Sequence, residues 1–216
     1  MESVDEERCT PVLRRAVGPW RLTLERRTPT RDQLSDHYRR IARTWSSRVR
    51  ALGFAVAYRR VIHRLNAQAL LGLSAGDLRV LDAGIGGGDL TLALLDETKA
   101  SIRLDGIDLC PDMLDVSAER LNAAGAQFRL KKGDITELPY SMCQFDLVLA
   151  GHVLEHLSAP SRALAELRRV LKPGGALLLI VTRATAAGKA VQLCWGTRCF
   201  DESALTNALR DRKSVV

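Results

Sequence analysis

The sequence predicts an α/β fold built on a parallel sheet with helices on both faces, and three observations predict it. Between residues 79 and 181, apolar runs of strand length alternate with segments of helical length and period. The run Val80-Leu81-Asp82-Ala83 breaks into Gly84, Gly86, Gly87 and Gly88 before a helix start at Asp89, which reads as a buried strand, a tight turn and a helix. Acids recur at or just after successive strand ends, at Asp82, Asp108 and Asp134, where open α/β sheets bind their ligands.

Composition bounds the rest. A chain of 216 residues with 46% hydrophobic content fills one core and carries an added arm. The expected division is a basic, disordered tail over 1–29, a helical cap over 30–72 and the α/β domain over 73–216. The acidic start Met1 to Glu7 has no apolar leader, and no run approaches the ~18 apolar residues of a membrane helix, so a soluble, cytoplasmic protein with no membrane span is expected. Five scattered cysteines without a C-x-x-C pair argue against a disulfide framework or a structural zinc site. The net charge of +7 is local: residues 1–72 hold 15 Arg and no Lys against 7 Asp and Glu, and the remainder is near neutral. Such an arm suits an acidic partner, an anionic substrate or a membrane surface, or is a solvated face.

Taken in order, residues 1–29 contain Pro11, Gly18-Pro19 and Thr28-Pro29 among arginines, with Trp20, Leu22 and Leu24 available to pin the tail to the domain. Thr30 and Gln33 form a capping box for a helix over about 31–50, whose Leu34, Tyr38, Ile41, Ala42, Trp45 and Val49 share one face. Gly53 interrupts, and Phe54, Ala57, Tyr58, Val61, Ile62 and Leu65 continue the period in a second helix expected to end near Gly72. Strands follow at 79–83, 103–108, 128–132, 145–150 and 176–181, with helices at 89–97, 111–124 and about 160–171. Lys172-Pro173-Gly174-Gly175 is the turn into the last strand, and Asp201-Glu202-Ser203 starts a short helix through about Arg210.

The glycine turn is the strongest chemical signal. Glycines let the main chain approach a ligand, and a following helix start offers free N–H groups. Gly84-x-Gly86-x-x-Asp89 nearly fits a dinucleotide fingerprint, but Asp89 replaces the third glycine, and Asp82 and Asp89 would both repel a diphosphate. The spacing Asp82, Gly84, Gly86, Gly88 instead resembles the first motif of class I S-adenosylmethionine-dependent methyltransferases. Further segments are similar to that family's later motifs: Gly106 to Leu114, Gly133 to Tyr140, Phe145 to Ala150 with His152 to Leu157, and Leu167 to Gly175. The resemblance covers about residues 79–182 and implies a Rossmann-like, doubly wound sheet.

It also implies roles. Asp82, with Ala83, Gly84 and Gly86, would hold the methionine part of S-adenosylmethionine; Asp108, with Leu109 and Met113, the ribose; Asp134 and Ile135 the adenine; and Gly151 would border the methyl site. Tyr38-x-x-x-Ala42-x-x-Trp45 is similar to the cap helix of small-molecule, quinone-biosynthesis-type methyltransferases, which adds Tyr38 to the cofactor side. His152 is the candidate general base, since imidazole titrates near neutral pH. His152, Glu155 and His156 stand in an H-x-x-E-H order that can bind zinc, but the segment is frequent in this fold without metal, and none is expected. The reading is therefore methyl transfer to a small-molecule O, N or activated C acceptor. A non-catalytic binding protein of the same fold and a nucleic-acid methyltransferase are the alternatives, the latter opposed by the absence of a base-amino signature after the fourth strand. The family's sheet normally adds two strands after the fifth, so a shortened C-terminus with an uncovered edge, and pairing of two copies through it, is a further expectation.

Overall fold

The computed structural model describes residues 9–17, 19–68, 76–98, 100–185, 188–189, 192 and 197–210. Five parallel strands, β3 (Asp77–Ala83), β4 (Ser101–Asp108), β5 (Phe128–Lys132), β6 (Phe145–Gly151) and β7 (Leu171–Ile180), form one sheet in the order β5-β4-β3-β6-β7. The strand order reverses between β3 and β6, so the loops after β3, β4 and β6 meet over one crevice.

Alternation along the strands builds two cores. On one face Val80, Leu104, Leu147 and Leu149 pack with α2 (Phe54–Ala67), α3 (Asp89–Glu97) and Leu121 of α4 (Pro111–Ala123). On the other, Leu81, Ala83, Ile107, Val148 and Ala150 pack with Ala163, Leu164, Leu167 and Val170 of α5 (Pro160–Val170). Helix α1 (Arg31–Ala51) starts with the expected capping box, in which Thr30 Oγ1 accepts from the Gln33 N–H and Gln33 Oε1 accepts from the Thr30 N–H. It rests on α4 through a small cluster of Ala42, Cys110 and Met113 with Tyr38 and Trp45. The last described helix is α6 (Glu202–Arg210).

Three expectations change. Where a disordered tail was expected, β1 (Cys9–Val17) and β2 (Trp20–Arg27) form an antiparallel hairpin with Val17 opposite Trp20. Its signal is the alternation of Trp20, Leu22 and Leu24 with Arg21, Thr23 and Glu25, obscured in the sequence by prolines and arginines. Trp20 and Leu22 are 77% and 59% exposed, so they do not pin this segment to the domain. Strand β7 begins at Leu171 and not at residue 176: Leu171 pairs with Phe145 and Ala176 with Leu147, so Lys172-Pro173-Gly174-Gly175 is absorbed as a register shift. Helix α2 is described to Ala67, and its expected end near Gly72 lies outside the described residues.

Candidate functional site

A cavity of about 600 Å³ opens between the strand ends and the helices α1 and α2. Tyr38, Asp82, Gly84, Gly86, Asp108, Leu109, Met113, Asp134, Ile135, Gly151 and His152 all line it. Ala83 does not: its side chain is fully buried in the core beneath the sheet, because alternation turns the residue after Asp82 to the opposite face.

Asp82 is 1% exposed, and its Oδ2 accepts a 2.5 Å hydrogen bond from the Thr91 hydroxyl. Among the described residues it forms no ion pair. Burial pushes its carboxyl up to about 7, against the Thr91 bond and with help from the nearby Asp108 charge. A cationic ligand group would relieve that cost, so the residue fits an ammonium or sulfonium. Asp108 accepts from the Gly86 N–H at 2.8 Å on one oxygen and the Cys110 N–H at 2.9 Å on the other. Burial nevertheless raises it above the usual carboxylate range. Each oxygen retains a lone pair, enough to receive two vicinal hydroxyls. Asp134 is more occupied: Oδ1 accepts twice from Thr136, at 2.7 and 2.8 Å, and Oδ2 pairs with Arg31 Nε at 2.6 Å. The first turn of α1 is thereby tied to the loop after β5.

The glycine turn needs its glycines for packing as well as conformation. Gly84 has φ +83°, and a Cβ there would lie 2.6 Å from Val153 Cγ2. A Cβ on Gly87 would lie 2.5 Å from Ser46 Oγ, so α1 is seated directly on the turn. Asp89, read from sequence as an acid that would repel a diphosphate, is neutralised within the fold. Arg120 Nη2 meets its Oδ1 at 2.7 Å, while Arg120 Nη1 donates to Ser46 Oγ at 2.8 Å and to the Gly87 carbonyl. One guanidinium thus joins α1, the turn, α3 and α4.

At the other end of the cavity the loop after β6 carries His152 at φ +54°, a left-handed conformation rare outside glycine. Its N–H donates to the Ile180 carbonyl at 2.8 Å, and its ring meets Phe54 edge-on with centroids 5.3 Å apart. Its Nδ1 lies 3.0 Å from Glu155 Oε1. A carboxylate only accepts, so Nδ1 carries the proton and Nε2 is the basic nitrogen left to the cavity. His156 takes a separate partner, Tyr38 Oη, at 2.9 Å from its Nε2. The i, i+3, i+4 geometry assumed for metal binding is not formed, because Leu154–His156 is a single 3-10 turn. Among the described residues no group of three His, Cys, Asp or Glu side chains could hold a metal ion.

Sequence reasoning missed several cavity residues. Tyr58, whose hydroxyl is raised by burial and by the Asp89 and Asp82 charges, was hidden in an apolar stripe. Thr182 in the cavity wall and Arg120 outside it had no local signal, since each acts through residues distant in the chain.

Comparison with known proteins agrees with this geometry. Residues 81–179 match the family model of a methyltransferase domain. A demethylmenaquinone methyltransferase of Deinococcus radiodurans is 33% identical over 142 residues, covering 66% of this chain and 56% of that protein. One from Lactobacillus johnsonii is 36% identical over 114 residues, covering 52% and 46%. The chain therefore spans about half the length of the curated relatives it matches. Among solved structures, the cyclase SpnF superposes with a TM-score of 0.65 at 24% identity, covering 85% of this chain and 72% of that one. Phosphoethanolamine N-methyltransferase 2 of Haemonchus contortus gives 0.56 at 22%, covering 69% and 35%. At these identities the likeness is one of fold. No helix is long and apolar enough to cross a membrane among the described residues. Residues 81–179 thus match a methyltransferase domain, and the sheet order, with the cavity at its switch point, is that of the Rossmann-like fold of the solved neighbours.

Proposed function

We propose that the chain transfers a methyl group from S-adenosylmethionine to a small-molecule acceptor held between α2 and the loop after β6. The observation that supports this most is the union, in one cavity, of buried acids at the ends of β3 and β4 with a histidine whose basic nitrogen is set by Glu155. When bound, S-adenosylmethionine would supply a methyl group activated for displacement by its sulfonium.

The chain's residues hold, orient and accept. Asp108 would take the ribose hydroxyls, Asp82 would lie against the cationic methionine part, and Asp134 with Ile135 would border the adenine. Tyr38, held by His156 and packed edge-on to Trp45, closes the wall from α1. His152 Nε2 receives the proton that an O–H or N–H acceptor gives up, and Glu155 stabilises the resulting imidazolium. Positioning two reactants supplies most of the acceleration when the methyl is already activated. Curated relatives carry the name of an enzyme acting on a quinone-type small molecule, which supports an acceptor of that size.

Calorimetric titration with S-adenosylmethionine tests the cofactor half: micromolar binding that Asp108→Ala weakens is expected, and no heat at millimolar cofactor would sink the reading. Incubation of metabolite extracts with methyl-labelled cofactor then identifies the acceptor.

A further inference from the structure

Two buried polar atoms in the described cavity wall have no partner: Glu155 Oε2 and Thr197 Oγ1. Glu155 is 1% exposed, and its other oxygen is crowded. Oε1 receives the Thr182 N–H at 2.8 Å, the Thr182 hydroxyl at 3.1 Å and His152 Nδ1 at 3.0 Å. The segment bearing Thr197 is fastened to the same turn, since the Arg198 N–H donates to the Glu155 carbonyl at 3.1 Å and the Phe200 N–H to the Thr182 carbonyl at 2.8 Å. A buried carboxylate oxygen without a donor is costly, and native proteins rarely leave one so. Glu155 lines the cavity together with His152, Phe54 and Tyr58, the two aromatic rings packed against the imidazole.

We propose that Glu155 Oε2, seconded by Thr197 Oγ1, is the subsite that recognises the methyl acceptor, and that it takes an uncharged aromatic head group bearing a hydroxyl or amine donor next to the atom deprotonated by His152. This rests on the methyl-transfer reading. One carboxylate serves two ends: Oε1 fixes the imidazole, and Oε2 accepts a hydrogen bond from the substrate. Phe54 and Tyr58 offer flat apolar surface for the ring. A head group carrying a carboxylate or phosphate is excluded, because it would face Glu155 with Asp82 buried nearby.

The test uses the full chain saturated with S-adenosylhomocysteine, titrated with three simple probes: catechol, veratrole (the same ring with both hydroxyls methylated) and benzoate. Catechol is expected to bind about tenfold more tightly than veratrole, with benzoate weakest. Glu155→Gln keeps an oxygen for the His152 and Thr182 donors but puts an N–H₂ where Oε2 was, so it should weaken catechol about tenfold and leave veratrole unchanged. Thr197→Val should weaken catechol about threefold. Unchanged S-adenosylhomocysteine affinity in each variant reports an intact fold. Equal binding of catechol and veratrole, tight binding of benzoate, full catechol affinity in Glu155→Gln, or no probe binding to the loaded protein would each overturn the proposal. Failure of the unmodified chain to bind S-adenosylhomocysteine would instead strike the methyl-transfer reading.

Discussion

The cavity has two walls of different construction. The wall at the ends of β3, β4 and β5 is made of residues close in sequence to their strands: Asp82, Asp108 and Asp134 are each held by a hydroxyl or N–H within nine residues or by the neighbouring loop. The wall made by α1, α2 and the loop after β6 is held by pairs far apart in the chain, such as Tyr38 with His156 and Arg31 with Asp134. Strand-end chemistry is local and recurs with the fold, whereas the cap acquires its geometry only when distant segments dock.

Arg120 joins the two walls, so its loss should have the largest effect. Arg120→Leu leaves the Asp89 side chain, 7% exposed, without its cation and detaches Ser46 from the turn. A loss of about 3 kcal/mol in urea unfolding is expected. A loss below about 1 kcal/mol would mean that the walls are joined elsewhere.

Asp108→Ala strikes the strand-end wall alone. It removes the proposed diol acceptor and releases the Gly86 N–H, and cofactor affinity should fall roughly 30- to 100-fold in calorimetry, with little change in acceptor binding.

Asp82 distinguishes the walls by pH. Its folded-state carboxyl is raised to about 7, so the folded protein keeps a proton there that the unfolded chain has released. The ligand-free protein is therefore favoured at low pH and loses that contribution as pH rises from the ordinary carboxylate range through about 7. A cationic cofactor prefers the charged form, so its affinity should rise about tenfold from pH 6 to pH 8. Asp82→Asn should flatten this slope; a slope that persists would place the titrating group elsewhere.

The smallest effect belongs to the cap's outer tether. Arg31 is 56% exposed, so Arg31→Ala should change cofactor affinity less than about fivefold, and added salt should mask most of the difference.

The same contrast explains what could be read in advance. Helix 89–97 and strand 128–132 match the structure residue for residue, because their periodicity and turn glycines are local. The acids at 82, 108 and 134 were visible for the same reason. The neutralisation of Asp89 was not legible because its partner Arg120 lies 31 positions away. Glu155 was noticed as a possible metal ligand, but its bonds to Thr182 appear only once β7 lies beside β6. The hairpin was missed because the alternation of three apolar residues was weaker than the disorder signal of prolines and arginines around them.

The left-handed turn at His152 has a consequence for the timing of order. Its main chain is fixed by Ile180, its ring is set against Phe54, and its Nδ1 is bound to Glu155. The imidazole thus has little rotational freedom left to surrender when another molecule arrives. Its ordering entropy is settled once, during folding, and is not charged again at each encounter.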